Sequence, residues 1–139
     1  MRWATRKNIH VDRAASAWLI DRYVDTDAEF IYVEDLDDVP DDATAYDFVG
    51  CELSHRGDDI TFETILRTYD LDDPVLWRIA EIIHEADVDD ARYDAPEAAG
   101  LDTIIRALGT DHDDEEVRAL VGTILDSLEN YFRQALRRA

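Results

Sequence analysis

A chain of 139 residues with a single cysteine, Cys51, has room for one domain around one core, and it excludes an internal disulfide, a CxxC metal knuckle and a dithiol redox pair. Its 34 acidic residues against 14 basic ones leave a formal net charge of -20, a field that repels phosphate backbones and sets direct nucleic-acid binding aside. There is no run of about 18 apolar residues to span a membrane and no apolar signal-peptide core in MRWATRKNIH, so the cytoplasm is the expected location.

The acids are piled into runs such as EDLDDVPDD (34–42) and DHDDEE (111–116), and Lys7 is the sole lysine. This pattern reads as adaptation to a high-salt, halophilic cytoplasm, where screening over a few ångströms makes self-repulsion tolerable. An acidic run here is first of all solvated surface, and not a cation site.

In chain order, RWATR (2–6) alternates weakly and reads as a short strand. IHVDR (9–13) then sets His10, Asp12 and Arg13 where that strand meets a helix start, a place that suits either an ordinary Asp12 N-cap or a ligand cluster. The helix over 13–24 carries Trp18, Leu19, Ile20, Tyr23 and Val24 as a broad apolar face. EFIYV (29–33) is a better strand, and ATAYDFV (43–49) a third, with no pairing order implied. A short helix covers 61–69. The next begins after Asp72 and Asp73 with Pro74 in its first turn, and spaces Leu76, Ile79, Ala80 and Ile83 along one face. DAPE (94–97) has capping-box spacing before a helix through Leu101, Ile104, Ile105 and Leu108, which Gly109 stops. The last helix opens on acids at 113–116, lines one face with Val117, Leu120, Val121, Ile124, Leu125, Leu128, Phe132 and Ala135, and ends near Arg133, Arg137 and Arg138, where the macrodipole favours cations. The expectation is a single α+β domain over 1–139, mostly helical, with about five helices and a small sheet near the N-terminal half.

Chemistry must come from residues that break these patterns. His84 extends the apolar stripe of the helix that begins at Pro74, and Asp87 follows one turn later; a carboxylate there needs exposure or a partner, and a shared cation would serve. In ELSHR (52–56), Glu52 and His55 stand three apart, so that a helix or tight turn could bring them onto one ion. ExxH and HxxD together offer two nitrogen and two oxygen ligands, a set suited to divalent Zn, Fe or Mn, with His10 as a further ligand. Arg6, Arg13 and Arg56 lie outside the acidic runs and could bind an oxyanion or pair with surplus carboxylates. There is no GxSxG, P-loop, GxGxxG or Cys–His pair, so acyl transfer, nucleotide hydrolysis and dinucleotide redox chemistry have no support, and no reaction is named.

WATR (3–6), HVDRAASAWLIDRYVD (10–25), AEFIYV (28–33), ELSHRGDDITFE (52–63), LDDPVLWRIAEIIHEADVDD (71–90) and APEAAGLDTIIRALG (95–109) together resemble the C-terminal domain of chromate resistance proteins. The resemblance implies a role in handling chromate or its oxidative stress, with a bound metal ion or a small oxyanion such as chromate as partner. It departs from many members at Ser16 and near Ile60, where they carry cysteine, and Cys51 stands where an aliphatic residue is usual, so thiol reduction of chromate is not expected. The DNA-binding region that precedes this domain in the family's regulators is expected to lie outside these residues. Three readings stay open: a metal-binding domain on His10, Glu52, His55, His84 and Asp87; a non-enzymatic sensor or partner-binding module, self-assembled into a homo-oligomer or not; and a plain structural domain. On that ligand set, the metal reading requires His55 and His84 to approach closely enough to share one ion.

Overall fold

The computed structural model describes residues 1–138. Three strands, β1 (Arg2–Arg6), β2 (Glu29–Val33) and β3 (Ala43–Ala45), form a parallel sheet in the order β2-β1-β3. Arg2 aligns with Glu29 on one side and with Ala43 on the other. Trp3, Ala4 and Thr5 of the central strand are all buried, as a parallel strand requires. A parallel pair needs a crossover, and α1 (Val11–Leu19) supplies it between β1 and β2.

Four more helices complete the chain: α2 (Thr61–Thr68), α3 (Pro74–Asp87), α4 (Ala98–Leu108) and α5 (Asp114–Arg138). The architecture is α+β and mostly helical, as expected. α1 is its hub, packed on α2, α3, α4 and α5. Ala14, Ala15, Ser16 and Ala17 are fully buried, and side chains this small let several helices approach one axis. Each tryptophan satisfies its N–H: Trp3 to Asp25 (2.9 Å), Trp18 to Asp126 (2.8 Å) and Trp77 to the Leu71 carbonyl (3.1 Å).

Several sequence expectations change in detail. Asp12 does not cap α1. The N-cap is His10, without a side-chain cap bond, and Asp12 sits inside the first turn with its side chain turned to another helix. The 13–24 helix gives way at Ile20 to a π-helical turn ending at Val24. The third strand stops at Ala45, because Tyr46 bridges Leu53 and Asp47 takes a positive φ of 57° that ends extended pairing. The DAPE capping box does not form: the N-cap of α4 is Glu97, whose carboxylate instead receives Arg78 at 3.0 Å.

The α3 stripe is as the spacing predicts, with Leu76, Ile79, Ala80, Ile83 and His84 all at 1% exposure or less. Asp73 caps this helix by accepting Val75 N–H at 2.9 Å, and the same carboxylate receives Arg133 of α5 at 2.7 Å. Arg133 also holds Glu129 and the Tyr23 hydroxyl, so it ties α5 to the start of α3 and does not merely complement a helix dipole. Arg133→Ala is expected to lower stability by about 1 kcal/mol, since the pair is bidentate but partly solvated. Urea denaturation in low and high salt checks this, with the loss shrinking as salt rises.

Candidate metal centre

The candidate site forms where the ELSHR turn meets the N-termini of α1 and α2 and the C-terminus of α3. Leu53 is drawn inward by its bridge to Tyr46, and the turn that follows presents His55 at the surface. Its Nε2 lies 3.1 Å from Asp12 Oδ2, 3.4 Å from Asp87 Oδ2 and 3.7 Å from Asp47 Oδ1. One ligand atom from each of Asp12, His55 and Asp87 falls within 4.8 Å of the others.

Asp12 is 2% exposed and is held by four donors. Oδ1 accepts Phe62 N–H at 3.0 Å and the Ser16 hydroxyl at 3.3 Å, while Oδ2 accepts Thr61 N–H at 3.0 Å and faces His55. The carboxylate therefore caps α2, satisfying two of the N–H groups that a helix start leaves open. Asp47 receives the Thr61 hydroxyl at 2.6 Å. Its other oxygen lies 3.0 Å from Arg13 Nε, which is buried there without a well-directed hydrogen bond, so the attraction is coulombic.

These charges move protons. The Asp12 carboxylate, then that of Asp87, holds the His55 pKa up at about 10 despite partial burial. Burial, followed by the Asp12 charge, pushes Asp47 up to about 6 against the pull of Thr61, Arg13 and His55. At neutral pH a proton on Nε2 thus sits amid three carboxylates, which is the electrostatic role a cation would take.

Two clefts adjoin the group. One of about 240 Å³ is lined by His10, Asp12, Arg13, Asp47, His55 and Asp87, with Arg106 beside them. The other, about 490 Å³, has Arg6, Arg13 and His55 on its wall together with the acids Asp35 and Asp47.

The structure divides the residues that the sequence singled out. His55 and Asp87 come together; His10, exposed, lines the smaller cleft. His84 is a correction: Nδ1 is 2.6 Å from Glu63 Oε1 and Nε2 is 2.8 Å from Asp90 Oδ2, so both nitrogens are engaged and the ring does not join His55 around one ion. Burial would lower the His84 pKa, but the Asp90 and Glu63 carboxylates outweigh it and the net shift is upward. Glu52 is a second correction. Residues 52–56 form no helical turn, and with Leu53 facing inward the Glu52 side chain is left in solvent, where its backbone carbonyl, not its carboxylate, accepts Arg56 Nε at 2.8 Å. Arg56 lines neither cleft.

Asp47, Glu63 and Asp90 escaped the sequence reading. Glu63 alone had a legible signal, a glutamate at the third position of a helix, where it reaches back to Ile60 N–H at 2.9 Å.

Among known proteins, the family description "ChrB, C-terminal domain" matches residues 3–132. The chain is 38% identical over 138 residues to Protein ChrB of Cupriavidus metallidurans strain CH34, an alignment covering 98% of this chain and 42% of that protein. It therefore spans less than half the length of the curated relative it matches. No solved structure matches it. No helix among the described residues is long and apolar enough to cross a membrane. The chain belongs to the ChrB C-terminal domain family, the chromate-resistance family that its HVDR, AWLI, ELSHRG and IIHEAD segments resemble.

Proposed function

We propose that this domain serves chromate resistance by binding a divalent cation at Asp12, His55 and Asp87. The observation that carries the reading is the convergence of one imidazole and two carboxylates from three separate segments within 4.8 Å. The donor chemistry fits: Asp12 is fixed by backbone and hydroxyl donors, with Oδ2 aimed at His55, and a divalent cation in place of the Nε2 proton keeps a positive charge among the carboxylates and adds one more. One nitrogen with carboxylate oxygens suits Zn, Fe or Mn, and solvent has access to His55 and Asp87 for the remaining positions.

Metal analysis of tag-free protein, compared with His55→Ala and Asp87→Ala, tests this. Both side chains are partly exposed, so both variants are expected to fold and to lose the bound ion. Metal content unchanged in both would overturn the reading.

A sensor role is favoured by the larger cleft, where Arg6, Arg13 and a protonated His55 share a wall on which a small oxyanion such as chromate could meet forked donors. Chromate is expected to raise the melting temperature of the wild type and to do so less in Arg6→Ala. An equal shift in both would remove support for this cleft.

A further inference from the structure

A second buried polar chain lies behind the candidate site. Glu63, at 0% exposure, accepts Ile60 N–H at 2.9 Å and His84 at 2.6 Å on Oε1, and the Tyr93 hydroxyl at 3.1 Å on Oε2, with Arg92 at 3.8 Å. The His84 ring meets Tyr93 edge to face at 5.2 Å, and its far nitrogen faces Asp90 at 2.8 Å. Ionised carboxylates only accept, so with both ionised each ring nitrogen must carry a proton. Nδ1 and Nε2 point to opposite sides, so Glu63 and Asp90 cannot share an ion across the ring.

The two ends of this chain stand beside the site. Glu63 belongs to the same first turn of α2 as Thr61 and Phe62, whose N–H groups hold Asp12. Asp90 follows Asp87 by three residues, just past Val88, the C-cap of α3. One imidazole thus clamps the turn that aims one ligand to the segment that follows the other.

We infer that His84, with Glu63 and Asp90, is a positioning residue for the cation site, holding the start of α2 and the chain after Asp87 at the spacing that lets Asp12 and Asp87 face His55. The inference rests on the cation reading. Partners that orient metal ligands typically cost about tenfold or more in metal affinity when removed.

The test uses His84→Gln, which loses the donor to Glu63, and Asp90→Ala, which truncates a partly exposed side chain and leaves His84 with Glu63 alone. Amide hydrogen exchange of Thr61 and Phe62 is compared with that of α1 in metal-free protein, and Mn²⁺ affinity is measured by titration calorimetry. His84→Gln is expected to speed exchange at Thr61 and Phe62 selectively, and both variants to weaken Mn²⁺ binding by about tenfold. A uniform rise in exchange, with Mn²⁺ affinity within about twofold of wild type, would reduce the chain to a structural role and overturn the inference. If wild type binds none of Mn²⁺, Zn²⁺ and Fe²⁺ while exchange at Thr61 and Phe62 still rises selectively in His84→Gln, the cation reading fails and the positioning of Asp12 stands. Should His84→Gln not fold, Asp90→Ala decides the case through Mn²⁺ affinity alone.

Discussion

Asp12→Ala is expected to destabilise the domain by about 3 kcal/mol, the largest effect of any single polar substitution at this site. The wild-type carboxylate accepts Thr61 N–H and Phe62 N–H at 3.0 Å each, the Ser16 hydroxyl, and the His55 ring, all from a position 2% exposed. Alanine leaves two N–H groups at the start of α2 without an acceptor, and each unsatisfied buried donor costs about 1–3 kcal/mol. It also leaves a small void between α1 and α2. Asp12→Asn keeps the volume and one acceptor oxygen, but its amide nitrogen must face a donor, so a loss of about 1–2 kcal/mol is expected. Urea denaturation followed by circular dichroism measures both. Wild-type stability in Asp12→Ala would mean that α2 is not held by this carboxylate.

The same residue shows why the sequence reading reached the fold more fully than the site. Helical spacing is local, so the α3 stripe from Leu76 to His84 and the stop of α4 at Gly109 could be read from neighbours along the chain. Asp12 also looked local, an acid at a helix start, and the nearest helix seemed the one to cap. Its acceptors in fact serve α2, across 49 and 50 residues of sequence. No periodicity encodes such a partner. ExxH misled for a related reason: spacing of three converges side chains only on a helical turn, and the inward pull of Leu53 makes residues 52–56 something else. His84 was placed correctly on its buried stripe, yet its partners Glu63 and Asp90 come from α2 and from the chain after α3, so its role as a clamp could not be separated from that of a ligand. Asp47 was concealed inside a strand pattern that a positive φ at that residue breaks.

Metal binding is expected to expel protons and therefore to strengthen with pH. In the metal-free domain His55 titrates near 10 and Asp47 near 6, both above their ordinary values. For the histidine, a raised folded pKa means stability that is fully present below its ordinary value of 6.5 and lost as pH climbs through about 10. For Asp47 the same sign applies: the protonated form is favoured in the fold, and that contribution is lost between its ordinary 3.8 and about 6. Without metal, the site's contribution to stability should thus decline from mildly acid to alkaline pH, with the His55 part limited to about 1–2 kcal/mol because 47% of that side chain meets solvent. A cation at Nε2 must displace the His55 proton, so the dissociation constant for Zn²⁺ or Mn²⁺ should fall by about tenfold per pH unit between 7 and 9, with about one proton released per ion. Calorimetric titration in two buffers of different ionisation enthalpy counts that proton, and melting curves across the same range should show the metal-induced shift growing with pH. Binding that neither releases a proton nor varies with pH would place the ion away from His55, and the Asp12–His55–Asp87 assignment would fall with it.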